Sequence, residues 1–148
     1  IDQRGRRVVT DGGYTGNLES VDSRLIMTLL RQGYMPIISP VALGNECEPL
    51  NVDSDAVASI VSAKIGADRL ILMTDVEGIR VDGELISKLN VSEVDGILKK
   101  IGFGMNRKIL EAKRAVSGGV KEAIIAPSFV ESPIRKAIHH EVGTVIYG

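Results

Sequence analysis

Short apolar runs of strand length alternate with longer runs of helical period from one end of the sequence to the other, and this alternation restricts the chain to an α/β fold. The clearest pair is a helix pattern from Ser54 to Ile65, apolar on most of its circumference and ended by Gly66, followed by the strand-like run RLILMT at 69–74. Upstream, Asp22 or Ser23 caps a helix running to Arg31 and stopping at Gly33. Residues 34–39 (YMPIIS) then read as a buried strand, and 41–50 as a hairpin about Gly44-Asn45. Downstream, Val81-Asp82-Gly83-Glu84 marks a small hairpin within 78–89. Ser92 with Asp95 forms a capping box for a short helix to Ile101. A longer helix at 105–117 carries Met105, Ile109, Ala112 and Val116 on one stripe. A strand at 122–126, a helix at 132–139 and a strand at 144–147 complete the pattern. Crossovers of this length imply an open, mainly parallel, twisted sheet with helices on both faces.

Composition narrows the partners. The 148 residues are 44% hydrophobic but only 3% aromatic, so aliphatic side chains must fill the core, and the four methionines (27, 35, 73 and 105) read as core. A net charge of −1 argues against a nucleic-acid surface or a polybasic membrane patch, and no apolar run has the length of a membrane helix. The single cysteine, Cys47, rules out an internal disulfide and suits a cytoplasmic protein. His139-His140 reads as solvated surface. The sequence opens without Met, and basic residues lead into a strand-like stretch at 6–10. Residues 1–148 are therefore expected to be a single domain or a fragment of something longer.

In an open parallel sheet, ligands bind where the carboxyl ends of strands meet helix N-termini. Three loops there carry polar residues. Asn51-Val52-Asp53-Ser54-Asp55 places an amide and two carboxylates at a helix start, where Asp53 or Ser54 can be a simple N-cap. Thr74-Asp75-Val76-Glu77-Gly78-Ile79 follows the best strand and can hold a ribose or merely start a turn. Gly102-Phe103-Gly104-Met105-Asn106-Arg107-Lys108 opens a helix with Lys108 in its first turn, suited to a phosphate or to a plain helix entry. It is neither a Walker loop nor a dinucleotide fingerprint, which counts against a dehydrogenase half.

In this order and spacing the three loops resemble those of the amino acid kinase family, and within it the acetylglutamate kinase branch. Gly119-Val120-Lys121-Glu122-Ala123 and the closing Gly143-Thr144-Val145-Ile146 extend the likeness over nearly the whole chain. The resemblance implies a carbamate kinase-like fold, with ATP and Mg²⁺ as cofactors. By the same resemblance Asn51 contacts the substrate and Asp55 organises catalytic lysines. Thr74, Asp75 and Gly78 then line the nucleotide site with Gly104 and Met105, and Lys108 stabilises the transferred phosphoryl group. Asp11-Gly12-Gly13-Tyr14-Thr15-Gly16 is similar to the segment in kinases that act on 2-aminoadipate or glutamate joined to a LysW-type amino-group carrier protein. Enzymes acting on free N-acetylglutamate are the alternative, and a non-catalytic nucleotide- or amino-acid-binding module is another. The family implies a homodimer. The strand, lysine and glycine-rich loops with which these kinases begin have no match in residues 1–10, so the chain resembles their C-terminal, ATP-binding part.

Overall fold

The computed structural model describes residues 13–148. The strand-like stretch at 6–10, together with Asp11 and Gly12, lies outside them. Helix α1 (Arg24–Arg31) starts where the Asp22 carboxylate accepts the Arg24 amide at 3.1 Å, and it ends before Gly33. Residues 34–39 differ from expectation, because they form no strand and are not buried. Ile37 is 96% exposed, and Met35, expected in the core, is 87% exposed. A strand needs a neighbour for its amides and carbonyls, and among the described residues none pairs with this one. The hairpin does form, from β1 (Val41–Leu43) and β2 (Pro49–Asn51), closed by Gly44 N–H donating to Glu48 O at 2.8 Å.

Helix α2 (Ser54–Ile65) begins at Asp53, whose Oδ1 accepts the Ala56 amide at 3.0 Å, and ends at left-handed Gly66. Strand β3 (Arg69–Thr74) follows as predicted. A two-residue ladder joins β4 (Arg80–Val81) to β5 (Glu84–Leu85) about Asp82-Gly83, both at positive φ as a tight hairpin turn requires. The next residues, β6 (Lys88–Asn90), belong to the main sheet rather than to that hairpin. Asn90, not Ser92, supplies the cap that follows: its Oδ1 accepts the Ser92 amide at 2.9 Å while Glu93 Oε2 accepts the Asn90 amide at 3.1 Å. Helix α3 (Val94–Ile97) is short and flanked by 3₁₀ turns. The remaining elements are α4 (Phe103–Ser117), β7 (Glu122–Pro127), α5 (Pro133–Ile138) and β8 (Thr144–Tyr147).

The main sheet has the order β3-β7-β8-β6. The pairs β3–β7 and β6–β8 are parallel, as expected, whereas β7–β8 is antiparallel. Helix α5 has six residues, about 9 Å at 1.5 Å per residue, too short to carry the chain back along a six-residue strand of about 20 Å. The chain therefore turns at one end of the sheet and runs back. Alternate residues of β3 and β7 cover opposite faces. Leu70, Leu72, Ala123 and Ile125 pack with Ile109, Ala112 and Ala115 of α4, while Ile124 and Ala126 pack with Ala137 of α5 and against Ile71 and Met73. Helices thus cover both faces, which explains why these strands are apolar throughout rather than alternating.

One buried hydroxyl couples the sheet to the loop after β3. Thr144 has no exposed surface, and its Oγ1 accepts the Ile79 amide at 2.9 Å and donates to Ile86 O at 2.5 Å. A side chain at Gly78 would run into that hydroxyl at 2.9 Å, so the close approach requires glycine there.

Candidate functional site

Strand β3 delivers Thr74 and Asp75 to its carboxyl end, and the loop beyond bends back through Gly78 into the small hairpin. The start of α4 faces this loop. Between them lies a cavity of about 480 Å³ that brings together Thr74, Asp75, Gly78, Gly104, Met105 and Lys108. Sequence reading singled out all six from two loops about thirty residues apart. Val76, Arg80 and Ile101 complete the wall and were not anticipated. Arg80 is held in place by Glu77 Oε2 at 2.5 Å and by Gly83 O at 2.7 Å. Its position comes from the hairpin turn, which no single-residue signal encodes. A larger cavity of about 870 Å³, between residues 17–21, the β1–β2 hairpin and α2, contains none of the predicted residues.

Lys108 reaches from the cavity to α2. Its ammonium donates to both oxygens of Asp55, at 3.0 and 2.8 Å, and the two side chains are only 19% and 25% exposed. An acid in the first turn of α2 also complements the helix dipole. Gly104 and Met105 lie inside the first turn of α4, since Gly102 is the N-cap, so Lys108 sits in the second turn rather than the first. First-turn amides have no intrahelical acceptor, which leaves N–H groups beside the cavity as anion donors. One residue before Lys108, Arg107 donates to Asp53 Oδ2 at 2.8 Å, a pair that sequence reading did not foresee.

Asn51 lies at the end of β2 and does not line this cavity. Its backbone is instead aligned with the Tyr14–Gly16 segment: Asn51 N–H donates to Tyr14 O at 2.7 Å, and Gly16 N–H donates to Asn51 O at 3.0 Å. The two loops that sequence reading linked only by resemblance are thus joined by main-chain hydrogen bonds. His140, expected to be solvated, bonds Glu122 at 3.0 Å on the opposite end of the sheet, where Arg69 also meets that carboxylate. Among the described residues no group of three or more His, Cys, Asp or Glu side chains could hold a metal ion, and no helix is long and apolar enough to cross a membrane.

The sequence profile of the amino acid kinase family matches residues 2–127. The chain belongs to the amino acid kinase family. It is 45% identical over 147 residues to a LysW-aminoadipate/LysW-glutamate kinase of Sulfolobus acidocaldarius, covering 99% of this chain and 56% of that protein. The protein of the same description from Saccharolobus solfataricus is 42% identical, with 99% and 55% covered. The chain therefore spans a little over half the length of these relatives. In fold it is similar to N-acetylglutamate synthase from Neisseria gonorrhoeae complexed with coenzyme A and L-arginine, at a TM-score of 0.86 and 23% identity over 93% of this chain and 33% of that one. Carbamate kinase from Giardia lamblia bound to AMP-PNP superimposes with a TM-score of 0.73 at 22% identity, over 88% and 45% of the two chains. These structures support the α/β fold class with a mixed sheet.

Proposed function

We propose that this chain is the ATP-binding part of a longer kinase that phosphorylates the side-chain carboxylate of 2-aminoadipate or glutamate carried on a LysW-type protein. The observation that carries the reading is the single cavity joining Thr74 and Asp75 to the start of α4, with Lys108 clasped by Asp55 at its edge. Similarity to the LysW-linked kinases over 99% of the chain supports the choice of acceptor.

A carboxylate with an ordinary pKa of about 4.3 is ionised at neutral pH and needs no general base. Its oxygen attacks the γ-phosphorus of ATP, the bond to the β,γ-bridging oxygen breaks, and ADP leaves an acyl phosphate. The barrier is the approach of two anions, so catalysis rests on alignment and on positive charge aimed at the transferring group. Lys108 supplies that charge, and Asp55 keeps the ammonium from swinging away. The amides of Gly104 and Met105 face the phosphates, while Thr74, Asp75 and Gly78 border the nucleoside. Asn51 contacts the acceptor, next to the Tyr14–Gly16 segment. Mg²⁺, bound with the nucleotide, would supply neutralisation of the phosphate charge. The same reading makes the carrier protein the partner, the cytoplasm the compartment and a homodimer the assembly.

The test is ADP release by the complete protein with ATP and Mg²⁺ on carrier-linked glutamate, carrier-linked 2-aminoadipate and N-acetylglutamate, with hydroxylamine trapping the acyl phosphate. Hydroxamate from the carrier-linked acids alone is expected. Product from N-acetylglutamate alone would move the acceptor to the free acid, and product from none would leave a nucleotide-binding module. In the same assay Lys108→Ala is expected to lower kcat by about 100-fold or more while raising the ATP KM far less. An unchanged kcat would remove Lys108 from the mechanism.

A further inference from the structure

The first turn of α4, which leads into Lys108, is poorly held by its own sequence. Its N-cap, Gly102, offers no side-chain hydrogen bond, no acidic residue lies in the first turn to complement the dipole, and Gly104 weakens the helix there. Something else must fix its direction. Arg107 and Lys108 are consecutive, so their side chains leave the helix about 100° apart. Each is tied to the start of α2, Arg107 to Asp53 and Lys108 to Asp55. Ile109, Ala112 and Ala115 hold the body of α4 on the sheet, but residues 104–108 before them are not fully buried, and two pairs separated by that angle fix this start of the helix where one would let it pivot. Asp53 is suited to the task because its other oxygen, Oδ1, already caps α2 through the Ala56 amide. One carboxylate thereby registers both helix starts against each other.

Resting on the proposed role of Lys108, we infer that Asp53 and Arg107 are positioning residues for phosphoryl transfer: their ion pair fixes the start of α4 against the start of α2, which keeps Lys108 on Asp55 and at the cavity. Neither residue lines the cavity, so neither acts on the phosphates directly. The pair is substantially exposed, at 63% for Arg107 and 36% for Asp53, and its contribution to global stability is correspondingly small.

The test is steady-state kinetics of the complete protein carrying Asp53→Asn, Arg107→Met, both together, or Arg107→Lys. Asp53→Asn keeps an oxygen for the Ala56 amide and removes only the charge. Each single substitution is expected to lower kcat about fivefold, the scale of one such ion pair, with the ATP KM changed by less than about twofold. The double variant is expected to be no worse than either single one, and Arg107→Lys to recover part of the loss. An unchanged kcat in Arg107→Met, losses that multiply in the double variant, or a rise confined to KM would each overturn the inference. Lys108→Met is measured alongside. If it retains kcat, the role of Lys108 fails and the inference falls with it; if it loses kcat while Arg107→Met does not, the positioning role alone is wrong.

Discussion

Between residues 13 and 51 no side chain is buried, whereas beyond Val52 the sheet and its helices enclose Ile124, Ile125 and Ile146 with no exposed surface. Both regions are aliphatic. Residues 34–39 carry a Tyr, a Met and two Ile, yet Tyr34 is 66% and Ile37 96% exposed, while Leu70 and Leu72 of β3 are 7% and 3%. What separates them is pairing. β3 is hydrogen-bonded along all six residues to β7 and covered by helices, and residues 34–39 have no such neighbour among the described residues. Apolar, strand-like sequence supplies the capacity for burial, and a sheet edge with a covering layer must supply the site. An apolar surface of this kind is characteristic of a contact surface. It lies in a chain that spans little more than half of its relatives' length.

The comparison can be broken most forcefully at Thr144. Replacing it by Val keeps its shape but leaves the buried Ile79 amide and the half-buried Ile86 carbonyl without this partner. The expected loss is about 3 kcal/mol, read from urea unfolding. A loss under about 1 kcal/mol would mean that the second region is less tightly specified than its burial indicates.

A smaller effect is expected where the packed region meets solvent at Glu122. Burial by itself would raise this carboxyl, but hydrogen bonds from Arg69 and His140 outweigh it and the pKa is lowered. A carboxyl depressed in the folded state contributes stability above its unfolded pKa and loses it as pH falls through the folded value. Glu122→Gln is therefore expected to cost less than about 1 kcal/mol at pH 7 and to converge with the parent in acid. A difference that persists unchanged at low pH would assign the effect to shape rather than charge.

The smallest effect sharpens the comparison from the other side. Ile37→Ser is expected to change the unfolding midpoint negligibly, by less than about 0.5 kcal/mol, while reducing the binding of a hydrophobic dye such as ANS to this chain. A large destabilisation would show that residues 34–39 are packed after all.

Much of the second region was legible because its signals are local. Gly66 and the cap at Asp53 bound α2, and the apolar run of β3 occupies the residues its composition indicated. Misreadings arose where two local signals compete or where the outcome depends on a neighbour. Ser92 and Asp95 have the spacing of a capping box, but Asn90 stands at the end of a strand whose backbone is already extended, and it takes the role. Lys88–Asn90 is too short to announce itself as a strand until β8 lies beside it. At the site, Thr74, Asp75, Gly104, Met105 and Lys108 were recognisable from loops at strand and helix ends, whereas Arg80 entered the cavity only through the geometry of its hairpin.

The sequence by itself determined most of the helices and strands in their order, most of their ends, and the residue types gathered at the carboxyl end of β3, because periodicity, capping and turn chemistry act over a few residues. Tertiary structure alone decided that β8 runs against β7, that residues 34–39 find no strand partner among the described residues and lie exposed, and that Lys108 meets Asp55 across 53 residues of chain. These outcomes depend on which distant surface completes a hydrogen-bond ladder or an ion pair, and that information resides in the packed arrangement of the elements rather than in any one of them.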